Sequence, residues 1–510
     1  MNRQLAAVVA VATLLVSSCS LFSHDDNQSP DRQRPGRHSP RPHPSPTTDV
    51  YAQEVTWENC ETDVECTTID VPLNWQDVTG ETISLEVHRR LADDPDHRIG
   101  SLLINPGGPG GSGVDFLDQF VSTAGDALLE AYDIVAFDPR GVGLSTGLDC
   151  GDGSVLDEYF ITDVDVETEA DLADARERNG AFAQGCFDRS GAIIENMDTV
   201  SAARDMDVIR AVLGDDSLYY LGFSYGTQLG ATYAELYPQH VGRMVLDGAV
   251  DFMLPDDQIS LVQAKGFENA LGNFITWCLD SGDCPLTGPA ENARAQIAQL
   301  ALDAKNEPFW SGNGVDVNGN RMVYGIVVTL YDEASWPYLK MALDETLGQG
   351  TAVYFSLFAD LYMGRDGASG SYSDNSMPAF TAVSCLDVDA EDSTIDEVLD
   401  FRRSVTEAAP TFGWWFGSAS SCEGWPFHAH EHITNLDDAA TAAPMVVIGT
   451  TDDPATPFAW AQSLAQRLGA TLLTYEGDGH TAYGRSNQCV IDAVDAYLVD
   501  GKLPAPGTTC

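Results

Sequence analysis

Short apolar runs recur along the chain, each bounded by glycine, proline or aspartate. Ile83–Arg89, Ser101–Asn105, Asp133–Asp138, Leu218–Phe223, Arg243–Asp247, Met445–Gly449 and Thr471–Tyr475 read as buried strands. Apolar positions three and four apart mark helices over Val114–Glu130, Val200–Leu213, Thr227–Tyr237 and Phe458–Leu468. Strand and helix alternate, which predicts an α/β fold with a mostly parallel sheet and helices on both faces. Chemistry then belongs at the carboxyl ends of the strands. From Phe252 to Ala440 the alternation stops, and the chain turns helical and loop-rich with Trp277, Trp310, Trp336, Trp414, Trp415 and Trp425. This stretch reads as a large, mainly helical cap insertion (252–440) between two parts of a core, 50–251 and 441–510. Its tryptophans are either the cap's own core or walls of a substrate cleft.

The amino terminus follows another pattern. Arg3 precedes the apolar run Leu5–Val16, and Val16-Ser17-Ser18-Cys19 follows, as in a secretory signal with a lipid-accepting cysteine at Cys19. Residues 20–49 carry Pro30, Pro35, Pro40, Pro42, Pro44 and Pro46, the composition of an extended tether with no core. The expected location is the outer face of the cell envelope, held by a lipid anchor, or the medium after release.

Net charge is −52, a surface that repels nucleic acid and suits solubility. Of eleven cysteines, ten remain after Cys19, an even number that argues for disulfides in an exported chain. Neighbour pairing gives Cys60–Cys66, Cys150–Cys186, Cys278–Cys284, Cys385–Cys422 and Cys489–Cys510. No C-x-x-C pair is present, which speaks against a redox or zinc role.

The candidate chemistry sits where strands end. Tyr219-Tyr220-Leu221-Gly222-Phe223-Ser224-Tyr225-Gly226-Thr227 carries an apolar strand into G-x-S-x-G and a small-residue helix, the pattern of a nucleophile elbow with Ser224 at its tip. The loops after the last two strands hold Asp452-Asp453-Pro454 and Gly477-Asp478-Gly479-His480. His480 is the expected base. Asp453 is its expected partner, held in an extended turn by Pro454, with Asp452 as the competitor. Asn105-Pro106-Gly107-Gly108-Pro109-Gly110-Gly111-Ser112-Gly113 is a loop whose backbone N–H groups can approach an oxyanion, and Gly108 and Tyr225 are the assigned donors. Gly108, Gly110 and Gly113 also fit G-x-G-x-x-G, but export, two prolines and the downstream triad argue against a dinucleotide site. His428, His430 and His432 read as a surface loop, and Asp316–Asn320 as an Asn-Gly turn instead of a calcium loop, since Val327 stands where a glutamate is needed. No cofactor or metal is required.

Taken together, NPGGPGGSG (105–113), FDPRGVGLS (137–145), GFSYGTQLGATYAELYP (222–238), LDGAVD (246–251), DPATP (453–457) and GDGH (477–480) resemble the actinobacterial tripeptidyl aminopeptidases. These are exported serine exopeptidases of the α/β-hydrolase fold, related to prolyl aminopeptidases. The likeness covers roughly 50–510 and is loosest in the cap. Pro106 stands where prolyl aminopeptidases usually carry His, which fits the tripeptidyl branch better. The resemblance implies peptide or protein substrates with a free amino terminus, cleaved by acyl transfer through Ser224. Such substrates need an anion for their ammonium, and Asp387 and Glu423, brought together by a Cys385–Cys422 disulfide, are the candidates. An esterase or lipase with the same triad is the alternative, and a catalytically silent envelope lipoprotein a third reading.

Overall fold

The computed structural model describes residues 50–312, 314–388 and 392–510, so the signal segment, Cys19 and the proline-rich tether lie outside the described residues. Nine strands form one sheet: β1 (Glu58–Glu61), β2 (Val64–Pro72), β3 (Thr82–Arg90), β4 (Gly100–Asn105), β5 (Tyr132–Phe137), β6 (Leu218–Phe223), β7 (Val241–Asp247), β8 (Val446–Asp452) and β9 (Thr471–Asp478). Their spatial order is β1-β2-β3-β5-β4-β6-β7-β8-β9. β1, β2 and β3 pair antiparallel, as do β3 and β5; from β5 across to β9 every pairing is parallel. All seven strands read from the sequence are present, and the antiparallel β1–β2 hairpin adds to them.

The period of two along each strand divides the core into two layers. Leu102, Ile104, Ile134, Ala136, Leu221, Val245 and Ile448 face the helices Gly113–Thr123 and Gln488–Asp500. Leu103, Val135, Tyr220, Leu246 and Val447 face Thr199–Val212, Tyr225–Leu236 and Phe458–Leu468. The helix expected over Val114–Glu130 breaks after Thr123, and a second helix starts at Asp126 behind Gly125. A Cβ at Gly125 would stand 1.8 Å from Asp495 Oδ2, so the close approach of the Gln488–Asp500 helix requires glycine there.

Between β7 and β8 the chain leaves the sheet and builds a second, helical core. Phe274, Ile297, Ile326, Leu339, Leu343 and Phe355 anchor it, on the helices Asp256–Asp280, Ala290–Asn306, Gly319–Leu330, Trp336–Gln349 and Val353–Met363. Trp336 is buried there, and Trp277, Trp414 and Trp415 pack against this core; Trp425 belongs to the sheet-side core, and Trp310 is 60% exposed. The tryptophans are thus mainly packing. Asn318 caps the Gly319–Leu330 helix by accepting from Arg321 N–H, so Asn318-Gly319 opens a helix and not a tight turn. His428, His430 and His432 lie in irregular chain.

All five neighbour disulfides form: Cys60–Cys66, Cys150–Cys186, Cys278–Cys284, Cys385–Cys422 and Cys489–Cys510. The last draws the carboxyl-terminal tail along β9, where Thr474 exchanges hydrogen bonds with Thr508 and Cys510 and the sheet edge is covered. Among the described residues no helix is long and apolar enough to cross a membrane.

Candidate active site

Strand β6 ends at Phe223, and the chain turns at Ser224 with φ 55° and ψ −123°, a backbone state that non-glycine residues avoid. Such a residue costs on the order of 1–3 kcal/mol and persists only where its surroundings enforce it. Here Ser224 N–H donates to Asp247 O (2.8 Å), while Ser224 O accepts from Thr227 N–H (2.8 Å) and Oγ1 (2.7 Å). The glycines of the motif answer to sterics: a Cβ at Gly222 would lie 2.5 Å from Gly226 O, and one at Gly226 2.9 Å from Asn105 Oδ1. The helix Tyr225–Leu236 starts at once, leaving its first N–H groups at the serine.

The glycine loop closes on this turn. Gly107, at φ 94°, has no room for a side chain: a Cβ would stand 2.4 Å from Phe223 O, 3.0 Å from Ser224 Cβ and 3.1 Å from Tyr225 N. Its own N–H is taken by Asn105 Oδ1 (3.0 Å). The contact brings the Gly107 turn against the Tyr225 amide beside the serine. Ser112 caps the next helix and donates to Asp138 Oδ1 (2.6 Å), fixing the loop's far end.

On the other side, β8 delivers two adjacent aspartates to different environments. Asp452 is exposed; Asp453 is 2% exposed and sits against the imidazole. His480 Nδ1 lies 2.9 and 3.0 Å from the Asp453 oxygens, which also accept from Ala455 N–H (2.9 Å), Thr456 N–H (2.8 Å), Thr456 Oγ1 (3.0 Å) and Thr481 N–H (3.1 Å). A carboxylate at Nδ1 puts the proton there and leaves Nε2 as the basic nitrogen. His480 N–H donates to Tyr331 O (2.8 Å), and the two rings meet edge to face at 5.3 Å. The imidazole approaches the elbow across Gly248, where a Cβ would be 3.3 Å from His480 Cε1. Asp453 and His480 are hydrogen-bonded; Ser224 and His480 share no direct side-chain hydrogen bond among the described residues.

A strained serine, a glycine loop against it and a buried Asp–His pair on the next strands are the parts of a hydrolase site, and sequence comparison agrees. The family profile described as alpha/beta hydrolase fold matches residues 100–325, and that described as TAP-like protein matches 409–510. The chain is 34% identical to serine protease Hip1 of Mycobacterium tuberculosis over 462 residues, 87% of each chain. It is 31% identical to a tripeptidyl aminopeptidase of Streptomyces lividans over 472 residues, 89% of this chain and 86% of that one. The chain belongs to the tripeptidyl aminopeptidase family. A third relative, carboxylesterase B of Mycobacterium tuberculosis, is 34% identical over 482 residues, 91% of this chain and 92% of its own.

The two acids singled out in this family member part company. The Cys385–Cys422 disulfide joins their segments, but only Asp387 reaches the elbow. It accepts from Thr199 N–H (2.8 Å), Thr199 Oγ1 and Gln228 Nε2 (3.0 Å); Gln228 lies on the helix that starts at Tyr225, and the Tyr225 hydroxyl shares a hydrogen bond with Thr199. Asp387 is crowded on all sides yet partly open to solvent, and burial pushes its carboxyl up to about 7. Glu423 is instead held by Arg176 Nε (2.9 Å) and Nη2 (2.6 Å) and by Ser393 N–H (3.3 Å), so its charge already has a partner. Sequence reading missed Tyr331 and Thr456 at the histidine, and Asp247 beneath both loops. Thr456 left a local trace in the Asp453-Pro454-Ala455-Thr456 turn, and Asp247 lay within the LDGAVD run without a role assigned to it.

Proposed function

We propose that this protein is an exported serine aminopeptidase that releases short peptides, tripeptides as the main product, from free amino termini. Ser224 Oγ attacks the scissile carbonyl while His480 Nε2 takes its proton; the same nitrogen then protonates the departing amine, and water repeats the cycle on the acyl-enzyme. Asp453 holds the tautomer and stabilises the imidazolium. The Gly108 and Tyr225 amides receive the oxyanion. The observation that carries this reading is the buried Asp453–His480 pair opposite a serine kept at φ 55°.

Asp387 is the proposed receptor for the substrate ammonium: a solvent-reachable carboxylate beside the elbow helix whose partners are all neutral. Glu423, tied to Arg176, is a weaker candidate. The cap over 252–440 then selects the acyl length. Export follows the amino-terminal pattern, with lipid attachment at Cys19, and five disulfides suit an oxidising compartment.

An esterase with the same triad is the second reading, favoured by the carboxylesterase name at equal identity. Chromogenic amides of one, two and three residues, with free and blocked amino termini, assayed beside short-chain esters, separate the two. Fastest turnover of the free tripeptidyl amide is expected. Ester turnover with no amide turnover would overturn the peptidase reading.

A further inference from the structure

The loop that carries His480 and the turn that carries Ser224 are tied to one residue that neither motif contains. Asp247 ends β7, and its carbonyl accepts the Ser224 N–H at 2.8 Å. Its carboxylate accepts from Ala482 N–H at 3.0 Å to each oxygen and from Tyr483 N–H at 2.7 Å, two and three residues past His480. The side chain is fully buried. The next residue, Gly248, leaves space for the His480 loop: a Cβ would stand 2.9 Å from Thr481 Cγ2. Between His480 and Ala482 the chain passes through Thr481 at φ 65°, a state that needs enforcement from outside.

We propose that Asp247 is a positioning residue for hydrolysis: its carbonyl fixes the nucleophile, its carboxylate fixes the histidine loop, and it thereby sets the distance between Ser224 and His480. The inference rests on the serine-hydrolase reading above. A buried carboxylate satisfied only by backbone N–H groups carries a desolvation cost that a neutral side chain avoids. The charged groups facing it are Arg485 and His480, both on the loop it holds. Arg485 spends its guanidinium on the carbonyls of His480 (3.0 Å) and Thr481 (2.6 Å), bracing the same bend from the opposite side. Thr450 Oγ1 donates to Thr481 O (3.0 Å) and adds a third tie from β8. The bend is therefore gripped at every peptide, and Asp247 supplies the grip shared with the nucleophile.

The test is Asp247→Asn in the full chain. With its oxygen in the place of Oδ2 the amide still accepts from Tyr483 N–H, but its NH2 then stands where Oδ1 accepts, confronting the Ala482 N–H. A shift of the order of an ångström in a reacting group lowers turnover by about 100-fold. The expected result is kcat lowered roughly 10- to 100-fold per active site with KM within about 2-fold, and labelling of Ser224 by a fluorophosphonate slowed by the same factor. Active-site titration counts competent molecules, so partial misfolding does not imitate the effect. Asp247→Ser, which removes the carboxylate without added bulk, gives the same readout if the amide variant does not fold. Wild-type kcat per titrated site, or a loss confined to melting temperature, overturns the inference. A wild-type enzyme that the fluorophosphonate does not label overturns the hydrolase reading and this inference with it.

Discussion

The sheet and the insertion between β7 and β8 solve different problems with the same chain. In the sheet, β4 and β5 are buried at every position, and the proposed catalytic side chains stand on short loops at the ends of β6, β8 and β9. In the insertion, five helices pack around their own apolar core, and the insertion meets the site at specific points, among them Gln263 Nε2 donating to Ala455 O (2.8 Å) beside Asp453. Tyr331 O holds the His480 amide. The helix Ser376–Asp387 lies on the glycine loop at its start, where a Cβ at Gly110 would be 2.6 Å from Ser376 O, and reaches the elbow helix through Asp387 at its end. The insertion touches the frame of the glycine loop, His480 as the proposed base and the proposed ammonium receptor, so changes there should alter selection first and chemistry second.

The largest expected effect lies on the sheet side. Ser224→Ala should lower kcat by roughly 10⁴- to 10⁶-fold with the fold intact by circular dichroism. Asp453→Asn should cost about 10⁴-fold in kcat, whereas Asp452→Asn should stay within about 2-fold, because only Asp453 faces the imidazole. Equal losses at the two aspartates would erase the distinction drawn from their burial.

On the insertion side, Asp387→Asn should raise KM for free-amine peptides about 10- to 100-fold with little change in kcat, and leave blocked peptides unaffected. Its carboxyl, pushed up to about 7, is neutral below that pH and charged above it. A peptide α-ammonium loses its proton near pH 7.7–8.0. Binding should thus improve as pH rises through 7 and weaken again above about 8, and the Asn variant should lack the acid limb. A smaller effect is expected from Cys385→Ser with Cys422→Ser: a loss of about 2–4 kcal/mol of stability and a higher KM, read by thermal unfolding and by kinetics.

How far these regions were legible follows from their physics. Parallel strands buried along most of their length must be mainly apolar, so β4 to β8 stood out, and with them the loops bearing Ser224 and Asp453, while the antiparallel, alternating β3 and the half-buried edge strand β9 before His480 showed as shorter apolar runs. β1 is exposed at all four positions and carries no apolar signal. The helix Glu169–Ser190 is polar over most of its surface and buries only Leu172, Asn179, Phe182, Ala183 and Cys186, so its period was hidden. The acids were harder still. Glu423 and Asp387 look alike in sequence, and what separates them is Arg176, 247 positions from its partner. The role of Asp247, though the residue stood in the LDGAVD run, stayed hidden for the same reason: its partners lie 235 and 236 residues away.

The most direct measurement is mass spectrometry after a fluorophosphonate treatment of the wild type and of His480→Ala. One phosphonyl group on the peptide containing Ser224, formed quickly in the wild type and at least 100-fold more slowly without His480, is the result this account expects. Labelling at another residue, or equal rates in the two proteins, would contradict it.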